Sequence, residues 1–193
     1  MSTVAGLVLA AGGGRRYGMP KALVEYEGSL LVERAVRTVR AVCDPVLVVL
    51  GARAVDVWRT ADLDGATVLA NRDWETGMAS SLRTGLDGLR GWPGRVDAAL
   101  VTLVDMPGMT PEALRAVAAH AAPDALATAT YDGVRGHPVL LGREHWAGVA
   151  ATATGDEGAR RYLAAHAVTE VDCTGLADPT DLDVPPGGVP SAP

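Results

Sequence analysis

The stretch Leu9-Ala10-Ala11-Gly12-Gly13-Gly14-Arg15-Arg16-Tyr17-Gly18-Met19-Pro20-Lys21 concentrates the residue types that hold phosphate. Glycines lack a Cβ, so their backbone N–H groups can approach phosphate oxygens closely, and Arg16 and Lys21 supply the charge to retain them. Of the 17 basic residues, only Lys21 is a lysine and the other 16 are arginine. A compact ammonium differs from a planar guanidinium fork, so the solitary lysine points to chemistry rather than to general solubility. Two familiar phosphate loops fail by register. A dinucleotide fingerprint begun at Gly12 and Gly14 meets Tyr17 where its third glycine belongs, and a Walker loop begun at Gly13 meets Met19 and Pro20 where Lys and Ser or Thr are required. A flexible loop with solvated basic residues is the bland alternative.

Asp105 is the carboxylate best placed to join this loop. It follows the apolar run Ala98–Val104 and precedes Met106-Pro107, which puts it at the carboxyl end of a strand, on the same rim. Magnesium takes hard oxygen ligands, commonly one or two carboxylates plus substrate phosphates. The alternative is an aspartate that caps a turn before Pro107. No Ser-His-Asp ordering stands out, and His120, His137, His145 and His166 have no zinc spacing, which disfavours a hydrolase or a zinc enzyme.

The elements that must position these residues alternate. Thr3–Ala10 reads as a strand buried on both faces, Leu30–Val42 as a helix with Ser29 as N-cap, and Val46–Leu50 as a second buried strand. A weak helix near Ala54–Thr60, a strand Thr67–Ala70, a helix Ala79–Leu89 and the strand Ala98–Val104 continue the rhythm. Thr110 caps a helix that has Pro111 at its first position. Ala125–Tyr131 and Pro138–Leu141 form a hairpin-like pair around Asp132-Gly133, Glu157–His166 reads as a helix, and Val168–Asp172 as a last strand. This order predicts an α/β fold with a doubly wound, mostly parallel Rossmann-like sheet that holds at least one antiparallel strand.

The 193 residues suit one domain, expected over 1–185, followed by a loose Pro/Gly-rich tail at 186–193. A net charge of −6 argues against a nucleic-acid or anionic-membrane surface. Cys43 and Cys173 are too few for a disulfide framework, and no apolar run reaches membrane-spanning length, so a cytoplasmic protein is expected.

The loop resembles L-A-A-G-x-G-x-R-x-G-x-P-K, the signature of the MobA-like nucleotidyltransferases, and especially of the molybdopterin cytidylyltransferases. Four further blocks agree with that family: Asn71-x-x-Trp74-x-x-Gly77-Met78-Ala79-Ser80-Ser81-Leu82, Leu103–Pro107, Arg135–Val139 and Gly155–Arg160. The resemblance implies a fold like that of the nucleotide-diphospho-sugar transferases. It also implies a reaction in which an acceptor phosphate attacks the α-phosphorus of a nucleoside triphosphate. Leu9, Ala10, Ala11, Gly12, Gly13, Gly14, Arg16 and Lys21 would bind the nucleotide, with Lys21, Arg16 and Asp105 as the catalytic set. Gly77, Ser80 and Ser81 fall in the segment that borders base and ribose, where simple helix capping is the alternative for the serines. GTP-using relatives carry L-A-G-G where Ala11 stands, so CTP is favoured, and molybdopterin is the implied acceptor.

Mg2+ would be held by Asp105, with a second ligand in Asp181-Leu182-Asp183-Val184-Pro185, where Asp183 is the candidate; this segment departs from the family's D-x-D-T-P-x-D at Val184 and Gly187. His137, Asp156 and Arg160 are placed beside the acceptor, although a structural histidine and an i, i+4 ion pair are the bland readings. A molybdoenzyme or chaperone would receive the product. Three rivals stay open: a nicotinamide-dependent reductase of a nicotine-derived pigment, a non-enzymatic nucleotide- or cofactor-binding protein, and a sugar-phosphate nucleotidyltransferase.

Overall fold

The computed structural model describes residues 2–182. The strands are β1 (Val4–Ala10), the short β2 (Glu25–Tyr26) and β3 (Ser29–Leu30), β4 (Val46–Leu50), β5 (Thr67–Ala70), β6 (Ala98–Leu103), β7 (Leu126–Tyr131), β8 (Val134–Gly142) and β9 (Thr169–Asp172). The helices are α1 (Leu31–Arg40), α2 (Ala54–Thr60), α3 (Met78–Arg90), α4 (Pro111–Ala118), α5 (Trp146–Thr152) and α6 (Arg160–Ala164). Seven strands form one sheet in the order β5-β4-β1-β6-β8-β7-β9, and only β8 runs antiparallel to its neighbours. The doubly wound, mostly parallel α/β sheet expected from the alternating elements is therefore present.

β1 shows why the centre is stable. Its residues alternate, with Val8 and Ala10 packing into the core shared with Leu31, Val32 and Leu114, and Ala5, Leu7 and Leu9 packing into the opposite core with Leu82, Leu86 and Trp146. Both faces are covered by helices, as a parallel sheet requires. Gly6 admits α1 closely, because a Cβ there would stand 2.0 Å from Val39 Cγ1.

Several local expectations change. Ser29 does not cap the first helix: it lies in the two-stranded β2–β3 hairpin, and the Glu33 carboxylate accepts from the Leu30 amide at 3.0 Å, so the helix starts at Leu31. The helix expected over Glu157–His166 shortens to Arg160–Ala164, since Gly158 takes φ +54, which no right-handed helix contains. Helix α5 was not expected; its Trp146 is 3% exposed and its indole donates to Leu141 O at 2.8 Å. Thr110 caps α4 as expected, accepting from the Ala113 amide at 3.3 Å. Among the described residues no helix is long and apolar enough to cross a membrane.

Candidate active site

The chain leaves β1 toward β4 on one side and returns to β6 on the other. At such a switch point the loops after neighbouring strands diverge and open a crevice at the strands' carboxyl ends. Here the crevice is a cleft of about 510 Å³, walled by the glycine-rich loop, residues 74–78, Leu103–Asp105, Asp156 and Asp181.

The loop is shaped by its own backbone and by the next strand. Gly14 adopts φ +61, and its carbonyl accepts from the amides of Tyr17 at 2.9 Å and Gly18 at 2.8 Å. A Cβ on Gly14 would fall 1.8 Å from Met19 O, so only glycine fits. The loop's first turn is tied to the exit of β4 by Ala52 N donating to Ala11 O at 2.9 Å.

Across the cleft, Lys21 Nζ donates to Asp105 Oδ2 at 2.7 Å, with side chains 15% and 17% exposed. The two residues nominated from separate motifs thus meet at one point. The other carboxylate oxygen, Asp105 Oδ1, is buried and has no hydrogen-bond partner. A buried oxygen left without a donor carries a desolvation cost, and a hard cation is one species that offsets it. Asp105 therefore fits the divalent metal that the chemistry calls for. The described residues contain no cluster of three or more His, Cys, Asp or Glu able to hold a metal unaided.

The base-side wall depends on Asn71, which sequence reasoning quoted but gave no role. Its amide nitrogen donates to Ser80 Oγ at 2.8 Å and Ser81 Oγ at 3.0 Å, and its Oδ1 accepts from Asp73 N at 2.9 Å. Ser80 is 6% exposed and its hydroxyl is turned inward, within 2.8 Å of Gly77 O and 3.0 Å of Asp73 O. Its hydroxyl ties down the turn at residues 73–77 rather than capping α3, whose start has no side-chain cap, while Ser81 and Gly77 reach the cleft. Leu9, Ala11, Gly12, Gly13, Gly14, Arg16 and Lys21 also line it, whereas Ala10 is 2% exposed and turns into the core.

The residues assigned to the acceptor divide. Asp156 lies on the cleft wall, and its Oδ1 accepts from the Met78 amide at 3.2 Å, seating the Gly155–Gly158 loop on the start of α3. Asp156 precedes α6, so no ion pair joins it to Arg160 among the described residues. Arg160 and His137 lie off the cleft wall. His137 sits where the β7–β8 register shifts, skipped between the pairs Thr128–Val139 and Ala129–Gly136. Such a bulge re-aims a side chain. Burial pushes the His137 imidazole down to about 4, the Asp105 carboxylate pulls it up, and the Arg160 guanidinium pushes it further down, so its ring is neutral at pH 7 and within the field of both groups.

Trp74 and Asp181 also line the cleft, although neither had a role assigned from sequence. Trp74 stood in a quoted block, but spacing alone does not show which way an indole points. Asp181 reaches the cleft because Leu182 N donates to Asp105 O at 2.8 Å and Asp178 N to Gly108 O at 3.2 Å, drawing the segment after β9 along the Asp105 loop. Asp183, the expected second ligand, and the expected tail at 186–193 lie outside the described residues.

Fold and cleft together define a nucleotidyltransferase. The chain belongs to the MobA-like NTP transferase family, whose domain pattern matches residues 6–171. A nicotine blue oxidoreductase from Paenarthrobacter nicotinovorans is 35% identical over 191 residues, covering 93% of this chain and 92% of that one. A probable molybdenum cofactor guanylyltransferase from Geobacillus sp. (strain WCH70) is 30% identical, covering 63% and 60%. A molybdenum cofactor cytidylyltransferase from Escherichia coli K12 is 22% identical, covering 74% and 72%. Among solved structures, Rv0371c from Mycobacterium tuberculosis H37Rv is similar with a TM-score of 0.82 at 30% identity, covering 95% of this chain and 93% of that one. It has also been solved in complex with manganese.

Proposed function

We propose that the chain transfers CMP from CTP to the phosphate of molybdopterin and releases pyrophosphate, within a single domain over residues 1–185. The observation that carries the reading is the convergence of Lys21 and Asp105 at 2.7 Å beside the glycine-rich loop, with Asp105 Oδ1 unpartnered. An acceptor phosphate oxygen attacks the α-phosphorus as the bond to the bridging oxygen of pyrophosphate breaks. The acceptor is ionised at pH 7, so no general base is needed, and positioning and charge neutralisation dominate. Amides of Gly12–Gly14 with Arg16 hold the β- and γ-phosphates, and Lys21 faces the α-phosphate as charge builds there. A divalent cation, when bound, neutralises phosphate charge beside Asp105. Asp156 and the neutral His137 border the acceptor, with Arg160 behind, and the product passes to a molybdoenzyme or chaperone.

Ala11 in the L-A-A-G loop favours CTP. The test is pyrophosphate release by the purified chain with molybdopterin, Mg2+ and either CTP or GTP, with the nucleotide product identified by mass. CTP should be preferred by at least about tenfold in kcat/KM, roughly 1.4 kcal/mol. Equal use refutes the base assignment, and no release with any triphosphate refutes the reaction. The 35% identity to a protein named as an oxidoreductase favours a second reading, reduction of a nicotine-derived pigment at the expense of a reduced nicotinamide. Loss of the nicotinamide absorbance band on mixing separates it from the first.

A further inference from the structure

The three glycines of the loop face three different surroundings. A Cβ on Gly12 would meet nothing within 4 Å, and one on Gly14 would strike Met19 O at 1.8 Å. One on Gly13 would stand 2.9 Å from Cζ3 and 3.1 Å from Cη2 of Trp74. Gly13 does not need the left-handed conformation that Gly14 adopts at φ +61. What the glycine at 13 provides is room for the indole. The other end of the same side chain is wedged at the exit of β4, where a Cβ on Gly51 would stand 2.5 Å from Trp74 Cβ and 2.7 Å from Cγ. Trp74 thus fills the slot between the chain segments leaving β1 and β4. It cannot easily drop away, because Asn71 Oδ1 holds the Asp73 amide just before it at 2.9 Å.

We propose that Trp74 is a positioning residue: its indole is the floor under Gly13 and fixes the height at which the Gly12–Gly14 amides meet the nucleotide's phosphates. The inference rests on the nucleotidyltransferase reading above. A glycine run has no side chains of its own to pack, so its position depends on what lies beneath it. Two glycines on adjacent strand exits both stand too close to the Trp74 side chain to accept a methyl group, Gly51 being closed also by Ala11 O at 2.7 Å, as such a floor requires.

The test is a double-mutant cycle read by calorimetric binding of inorganic tripolyphosphate with Mg2+, which needs neither base nor acceptor. Gly13→Ala should weaken binding by about thirtyfold, roughly 2 kcal/mol, as an overpacked contact. Trp74→Leu alone should weaken it by about tenfold because the loop loses its floor. In the double variant, leucine makes room for the new methyl group, so binding should recover to about the level of Trp74→Leu alone rather than fall by the product of the two. Gly14→Ala is the control: its clash is with backbone, and Trp74→Leu should not rescue it. Additive losses overturn the proposal, as does a Trp74→Leu protein that melts earlier yet binds tripolyphosphate like the wild type. Trp74→Phe, which keeps a shorter aromatic floor, replaces leucine in the cycle if leucine prevents folding, and the same additivity criterion applies. A wild-type chain that binds no tripolyphosphate removes the nucleotidyltransferase reading together with the floor, whereas additivity in a chain that binds it removes the floor alone.

Discussion

Asp105→Asn should separate activity from stability. The aspartate stands 2.7 Å from Lys21 Nζ in a pair whose members are 15% and 17% exposed. At that separation and an effective dielectric near 20 the bare attraction is about 6 kcal/mol, but removing both groups from water consumes most of it. Asparagine keeps the volume and offers Lys21 a neutral acceptor, so an ion pair becomes an ammonium–amide hydrogen bond, a loss of about 1 kcal/mol. Acting in the other direction, the buried Oδ1 has no donor, and the substitution removes the charge shared by that orphaned oxygen. The net change in folding free energy should lie within about 1 kcal/mol, a shift in Tm of a few degrees for a chain of this size. Activity should respond differently. Losing the charge that a hard cation requires, together with its effect at the α-phosphate, should cost about 100- to 1,000-fold in kcat, roughly 3–4 kcal/mol. Pyrophosphate release across a Mg2+ titration, alongside urea unfolding of the same preparations, checks both. Turnover within about tenfold of wild type would refute ligation by Asp105, since that is only about 1.4 kcal/mol. A fall in stability of several kcal/mol would show that the carboxylate braces the loop instead.

Lys21→Arg should lose at least about tenfold in kcat, because a planar fork is a poor replacement for one compact ammonium held against Asp105; free exchange, measured as pyrophosphate release, would overturn the argument from the single lysine. For His137 the folded value is about 4 against an ordinary 6.5, so the unfolded chain takes up the proton first as pH falls. Its contribution to stability is complete above about 6.5, declines between about 6.5 and 4, and totals at most about 3 kcal/mol. Urea unfolding of wild type and His137→Gln at several pH values should show that slope only in the wild type, and identical slopes would dismiss a neutral, buried imidazole.

The alternation of elements was legible because each central strand is a short, apolar run between turn residues, and each long helix repeats its apolar positions at helical spacing. That Asp105 shares a rim with the loop carrying Lys21 was legible in the same way, since both follow strands at the same end of the sheet; their direct pairing at 2.7 Å was not. What composition could not show was orientation. Ser80 and Ser81 are neighbours of the same chemical type and both hydroxyls accept from Asn71, yet only Ser81 lines the cleft, while the Ser80 hydroxyl turns to the carbonyls of Asp73 and Gly77. Trp74, quoted without a role, packs against the core and also forms part of the cleft wall. The helix begins at Leu31 rather than Leu30 because Glu33, three residues after Leu30, accepts from the Leu30 amide and Ser29 lies in the β2–β3 hairpin. The short α6 hinges on a single positive φ at Gly158, a choice that helical periodicity does not register.

The segment after β9 braces the Asp105 loop from outside the sheet. Thr110 Oγ1 donates to Leu176 O at 2.7 Å, Asp178 N to Gly108 O at 3.2 Å and Leu182 N to Asp105 O at 2.8 Å, so three successive stitches run along the loop that carries Asp105. All seven strands of the sheet are complete by Asp172, before any of these stitches. The sheet's pairing therefore does not depend on these contacts, which brace only the Asp105 loop. Clipping between residues 173 and 176 would cut these contacts free of the sheet, so secondary-structure spectroscopy beside activity would separate the bracing of the Asp105 loop from the fold itself.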